Sequence, residues 1–261
     1  MTRKIIALVL AMVMCLGLLA GCDGTTTPVD PNAPVGGNNN EGGNPEIGTM
    51  FEIALTAPFT GFDPLRTNDS ASTYVNAQIY ETLYRINPVT GEYDPLLAAE
   101  LPEFSEDGMT VTVKLREGVK WVDSQGREVA DVKADDFVAG MQHMMDAMGG
   151  LEYLIEGIIV NASEYINREV TDFAEVGVKA LDDYTVEYTL EAPCSYFMTM
   201  LSYSIFAPMS RSYYESQGGK FGAEYDATAA DYTYGTSPET IAYCGAYLIT
   251  NRTANNTYVY E

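Results

Sequence analysis

The chain has 261 residues, in which 37 acidic side chains face 14 basic ones and a single histidine, for a formal net charge of −23 at pH 7. Such an excess of carboxylates argues against a nucleic-acid partner, because phosphate binding calls for clustered Lys and Arg. It argues equally against electrostatic adhesion to anionic lipid, and the 46% hydrophobic content suffices for one large domain or two modest ones.

Arg3 and Lys4 precede an almost unbroken apolar run over 5–20, the charged and hydrophobic regions of an export signal. The run is shorter than the ~20 residues that carry a helix across a bilayer. It ends in LAGC (19–22), which resembles the lipobox of bacterial lipoproteins. That resemblance implies a lipoprotein signal peptide over 1–21, cleaved before Cys22, and a diacylglycerol on the Cys22 thiol. The plainer alternative is an uncleaved anchor that carries a cysteine by chance. Two acyl chains are what stable anchoring takes, and palmitate-type acylation at Cys22 would supply them. The expected location is therefore the cell membrane, lipid-anchored on its extracytoplasmic face. Residues 22–48 read as the lipidated tether. Over 23–48 the sequence is rich in Gly, Asn, Pro and Thr and cannot bury enough apolar surface to offset the entropy of ordering. As a flexible coil it would span about 28 Å on average. Cys15 leaves with the signal, so Cys194 and Cys244 remain. Export permits a disulfide between them, but two isolated cysteines are weak evidence for one, and neither is expected to be required for folding.

The folded part begins near residue 49. MFEIAL (50–55) alternates like a strand, and a turn-rich TAPFTGFDP follows. SASTYVNAQIYETLYRI (70–86) predicts a helix, with Val75, Ile79 and Leu83 stepping by four and Ser70 or Ser72 as its cap. PVTGEYDP (88–95) predicts a turn with Thr90 and Gly91 at its tip. MTVTVKLREGVKW (109–121) alternates Met, Val, Val and Leu with polar residues, a half-buried strand opened by the turn EDG (106–108), with Trp121 packed at its end. KADDFVAGMQHMMDAM (133–148) is an amphipathic helix whose stripe is Phe137, Met141, Met144 and Met148, with Asp135 and Asp136 near its N-terminus. EVGVKALDDYTVEYTLEAP (175–193) predicts two strands joined at Asp182 and Asp183. SYFMTMLSYSIFAPM (195–209) starts helical and stops at Pro208, and YCGAYLIT with NTYVYE predicts a closing hairpin. Both kinds of element alternate and no internal repeat is visible, so the fold class is mixed α/β.

No catalytic residue, metal site or cofactor is indicated. His143 sits among methionines without the HExxH spacing, and no second histidine exists to complete a zinc site. The chain has neither a GxSxG elbow nor a GxxxxGK[ST] loop. His143 is expected to be a helix-surface or packing residue.

Several stretches, in order, resemble the bacterial extracellular solute-binding proteins of family 5, the oligopeptide-binding lipoproteins of ABC importers. FDPLRTNDSAS is similar to the family's LDP segment, and IYETLYRINPVTGEYDPLLAAELPEFSEDG to its IYE-x-L region. SEDGMTVTVKLREGVKW resembles its signature strand, and DVKADDFVAGMQ its T-A-x-D-F-V helix. VGVKALDDYTVEYTLEAPCSYF and CGAYLIT match two later motifs, the second with Cys244 where Asn is usual. The resemblance covers about 50–261 and implies a periplasmic-binding-protein-like fold of class II. It further implies a first lobe over 49–68 and 191–261, a second subdomain inserted over 69–190, and a third lobe for which this chain, ending at TYVYE, has no residues. The implied ligand is a short peptide or related small solute, gripped through its backbone by strand-like hydrogen bonds. The implied partners are ABC permease subunits, with the protein acting as a monomer. Carried over by motif position, the contacts would be Thr67, Asn68, Asp69 and Ser70, then Tyr243, Cys244 and Gly245. A helix cap explains Asn68 and Ser70 equally well. Two other readings stand beside transport: a secreted lipoprotein hydrolase, and a truncated, non-transporting remnant.

Overall fold

The single strand expected over 109–121 is broken. Residues 110–114 run through the middle of the four-stranded sheet, and after a turn at Gly118, with φ +81°, 120–122 pair in a separate two-stranded ladder. The computed structural model describes residues 57, 59–252 and 258–260, all within the unit Ala54–Glu261. Strands β3 (Glu103–Phe104), β4 (Thr110–Lys114), β7 (Val178–Asp182) and β8 (Thr185–Thr189) pair antiparallel in the order β3-β4-β8-β7. Three antiparallel two-stranded ladders accompany it: β1 (Tyr84–Ile86) with β2 (Tyr93–Pro95), β5 (Lys120–Val122) with β6 (Glu128–Asp131), and β9 (Ile249–Arg252) with β10 (Tyr258–Tyr260). The helices are α1 (Ser70–Asn76), α2 (Ala134–Ala147), α3 (Ala162–Ile166), α4 (Phe197–Met200) and α5 (Arg211–Ser216).

On β4, Val111 and Val113 are wholly buried opposite Tyr188 and Val186 of β8, while Thr110 and Thr112, at the alternate positions, are half-buried. Gly108 adopts φ +70° and its N–H donates to the Ser105 carbonyl, which closes the EDG turn. The β7–β8 turn is held by Asp182, whose Oδ1 accepts from the Tyr184 N–H at 2.8 Å. Gly91, at φ +74°, forms the tip of the β1–β2 hairpin as expected.

Helix α2 lies against β7 and β8 and carries the core on most of its circumference. Its start is fixed by Asp136, whose Oδ2 accepts from the Lys133 N–H at 2.9 Å. Phe137, Met141 and Met144 are buried as the stripe predicts. Met148 is not: it turns left-handed at φ +48°, ends the helix and is 52% exposed.

The helix expected over 70–86 is cut short at Asn76. Val75, Ile79 and Leu83 are all buried, but on helix, turn and pre-strand backbone respectively. Tertiary hydrogen bonds take the carbonyls that a longer helix would use. Ile79 O accepts from Cys244 and Gly245, Thr82 O from Leu97, and Leu83 O from Leu96 and Ala98. The segment 195–209 likewise keeps one turn of α4 and one 3₁₀ turn, Ser204–Phe206, before Pro208.

Cys194 and Cys244 are both free. No helix among the described residues is long and apolar enough to cross a membrane. The signal, Cys22, the tether and the strand at 50–55 lie outside the described residues, as do 253–257 within the closing hairpin.

Candidate functional site

The turn at 61–67 and the head of α1 form one hydrogen-bonded unit. Asp63 starts it: its carbonyl accepts from the Thr67 N–H at 3.1 Å and the Thr67 hydroxyl at 2.9 Å, and its Oδ1 accepts from the Leu65 N–H at 3.1 Å. Asp69, and not Ser70 or Ser72, caps α1. Its Oδ1 accepts from the Ser72 N–H at 2.8 Å and its Oδ2 from the Thr60 hydroxyl at 2.6 Å. Ser72 turns outward from the helix start, and its Oγ accepts from the Thr60 N–H at 2.9 Å. Asn76 Nδ2 reaches back to the Gly61 carbonyl at 3.1 Å. Burial alone would raise the Asp69 pKa. The bonds from Thr60 and Ser72 outweigh it and hold the carboxyl below its usual range.

Thr67 and Asp69 are therefore committed within the loop, and the exposed residues of this segment are Asn68 and Ser70. The Asn68 side chain lies over Gly150, where an added Cβ would sit 2.6 Å from its Nδ2. A Cβ on Gly149 would sit 2.2 Å from the Arg66 carbonyl oxygen, so the glycine pair lets its loop rest directly on 66–68.

Tyr243, Cys244 and Gly245 dock at the other end of α1. Tyr243 is fully buried, exchanges backbone hydrogen bonds with Val122 at 2.8 and 2.9 Å, and donates its hydroxyl to the Pro238 carbonyl at 2.8 Å. Cys244 and Gly245 both donate their N–H to Ile79 O, at 3.3 and 3.1 Å. Gly245 is required by close approach: a Cβ there would sit 2.6 Å from the Ile79 carbonyl carbon and 2.7 Å from the Tyr80 nitrogen. Burial pushes the Cys244 thiol up to about 12, so it is neither a ready nucleophile nor a ready metal ligand. The two expected contact segments thus flank one helix, 67–70 at its head and 243–245 just past its tail. The seven residues of α1 alone put about 10 Å between them.

One pairing was not expected. His143 is fully buried on α2, which rules out the surface position and bears out packing, and its Nε2 lies 2.7 Å from Oδ2 of Asp63, a polar partner that was not expected. An ionised carboxylate only accepts, so opposite Asp63 in that form Nε2 is the donor. The rings of Tyr214, Tyr225 and Tyr234 surround the imidazole at centroid distances of 4.7, 5.8 and 5.9 Å. The spacing from Asp136 to His143, through Ala139 and Gly140, is a second helical face of small and polar residues. That was the signal available for it.

Among the described residues no group of three or more His, Cys, Asp or Glu side chains could hold a metal ion. An apolar crevice between Phe62, Tyr80, Trp121 and Ile241 leaves about 10 Å³, less than a solute needs. A groove of about 260 Å³ beside α2 is lined by Lys133, Asp135, Asp136 and Arg211. Its charges are largely paired within the protein, Asp135 with Arg211 and Lys133 with Asp183.

This fold is that of the extracytoplasmic solute-binding proteins. It resembles Listeria monocytogenes OppA bound to peptide with a TM-score of 0.64 and 25% identity, covering 79% of this chain and 37% of that one. Residues 92–261 match the family described as "Bacterial extracellular solute-binding proteins, family 5 Middle", and the chain belongs to that family. It is 32% identical over 246 residues to the oligopeptide-binding protein AmiA of Streptococcus pneumoniae, covering 94% of this chain and 33% of AmiA. To the oligopeptide-binding protein SarA of Streptococcus gordonii it is 32% identical over 229 residues, covering 88% of this chain and 33% of SarA. The chain thus spans about a third of the length of these curated relatives.

Proposed function

We propose that this chain is the peptide-capturing, non-catalytic component of an ABC importer, held by lipid on the extracytoplasmic face of the cell membrane. The observation that carries the reading is the match, over 94% of the chain, to a relative named for binding oligopeptides. In this reading 1–21 is the signal peptide, Cys22 bears the lipid and 22–48 is the tether. Residues 49–68 and 191–261 form the first lobe, with 69–190 inserted as the second. Of the two segments, one at each end of α1, 67–70 offers main-chain groups to an extended peptide, whereas 243–245 can offer only carbonyl oxygens, its three N–H groups being donated to Val122 and Ile79. Permease subunits receive the peptide. Most side-chain polarity there is already committed to the loop, which suits a site that reads backbone more than sequence.

Two measurements test this. Calorimetric titration with a mixture of short peptides, on a form of the protein carried to the full length of its relatives, should give saturable heat, and its absence with every peptide would remove the binding reading. In a bacterial host fed labelled palmitate, the wild type should take up label and the Cys22→Ala variant should accumulate as unlabelled precursor. Equal labelling of both would remove the anchor.

A further inference from the structure

We propose that His143 is a positioning residue for the segment 67–70, acting through Asp63 from the far side of the core. The inference rests on the reading that this segment meets the peptide. Asp63 is the hub of the turn below it, with its carbonyl taken by Thr67 and its Oδ1 by the Leu65 N–H. That leaves Oδ2 for His143, at 2.7 Å across 80 residues of sequence. The loop at 234–235 closes in as well: Phe62 N–H donates to Gly235 O at 3.1 Å, and a Cβ on Gly235 would sit 2.8 Å from that of Asp63. Asp63 is thus clamped by α2 and by this loop.

The helix end of the clamp is rigid. A Cβ on Gly140 would sit 2.6 Å from Ala207 O, and Met209 N–H donates to Asp136 O at 2.9 Å, so α2 lies hard against 207–209. His143 Nδ1 is buried without a hydrogen-bond partner among the described residues. The imidazole is therefore oriented by its bond to Asp63 and by the tyrosine rings, with no second hydrogen bond to compete. Remove Nε2–H and a buried carboxylate oxygen loses its donor. Asp63 must then take up a proton or turn toward solvent, and turning breaks the bonds that shape 65–67. His143 touches nothing in the candidate contact segment, yet it fixes where that segment begins.

The test compares His143→Leu, which removes the donor, with His143→Gln, which offers an amide N–H in its place, in the full 261-residue chain. Hydrogen exchange at the Leu65 and Thr67 amides is the primary readout, with the β4 and β8 amides as reference. In His143→Leu the two turn amides should exchange about tenfold faster or more while the reference amides hold, and His143→Gln should restore most of the protection. Unchanged exchange at 65 and 67, or an equal loss across β4 and β8, would overturn the proposal. Should His143→Leu fail to fold, His143→Phe, which keeps a ring among the tyrosines and also lacks the donor, decides by the same readout. A parallel titration with an equimolar mixture of tri-, tetra- and pentapeptides, on the form carried to the full length of its relatives, separates the two readings. Faster turn exchange with wild-type affinity would retain the positioning role and remove 67–70 from the peptide site. Slow exchange in every variant would remove the positioning role whatever the affinity.

Discussion

Asp136 accepts from Trp121 Nε1 at 2.8 Å, from the Lys133 N–H at 2.9 Å and from the Arg211 N–H at 3.1 Å. Burial raises its pKa above 3.8, and these three bonds offset only part of that rise. A carboxyl with a raised folded pKa holds its proton longer in the native state. Its contribution is therefore fully present below the unfolded value of 3.8 and declines as pH climbs through the folded value. Asp136→Asn should destabilise by about 1–3 kcal/mol, because an amide nitrogen cannot accept one of these donors. The gap between wild type and variant in urea midpoint should be widest below pH 3.8 and narrow as pH climbs through the raised folded value. Gly245 makes a second case at this scale, one of space. Gly245→Ala should cost about 1–3 kcal/mol, because the atoms in its way belong to the backbone at 78–80 and not to a yielding side chain. Thermal unfolding of the two proteins would check it, and an unchanged midpoint would contradict the close packing.

Among the short α-helices of the described residues, α1 is the one whose start is held by a side-chain cap, Asp69, and seven residues make a marginal helix. Asp69→Ala should cost about 1 kcal/mol near neutrality. The Asp69 pKa is depressed, so its contribution is present above 3.8 and lost as pH falls through the folded value. The variant's deficit should therefore vanish in acid, and urea titrations at several pH values would show it. A deficit independent of pH would mean that the ionised carboxylate is not what caps the helix. The elements also explain what could be read in advance. Helix α2 was legible because Phe137, Met141 and Met144 repeat over about two turns and Asp136 marks the start. The hairpin β7–β8 was legible because Asp182 builds its own turn. Helix α1 was over-extended because stepping by four reports burial, and Ile79 and Leu83 are buried without being helical. Helices α3 and α5, five and six residues long, are too short to display a period at all.

At the scale of the molecule, the motifs in order were visible because each marks a local event: a turn at Gly108, a strand at Val111 and Val113, a close approach at Gly245. The bond between Asp63 and His143 was not, because it joins two ordinary local patterns separated by 80 residues. Net charge is the property that no local pattern carries, and it yields the last prediction. Exposed pairs such as Arg85 with Asp94, Lys114 with Glu100 and Lys133 with Asp183 contribute little, being in solvent. Salt weakens them, which lowers stability. It also screens the mutual repulsion of a chain carrying −23, which raises stability. The pairs are few and solvated, whereas the excess carboxylates have no basic partner to find, so repulsion is the larger effect. Moving from about 0.01 M to about 0.15 M NaCl shortens the screening length from about 30 Å to about 8 Å, enough to decouple charges across the surface. The urea midpoint should rise over that interval and level off above it. A midpoint that falls would mean that the paired surface, and not the unpaired excess, governs the electrostatics of this fold.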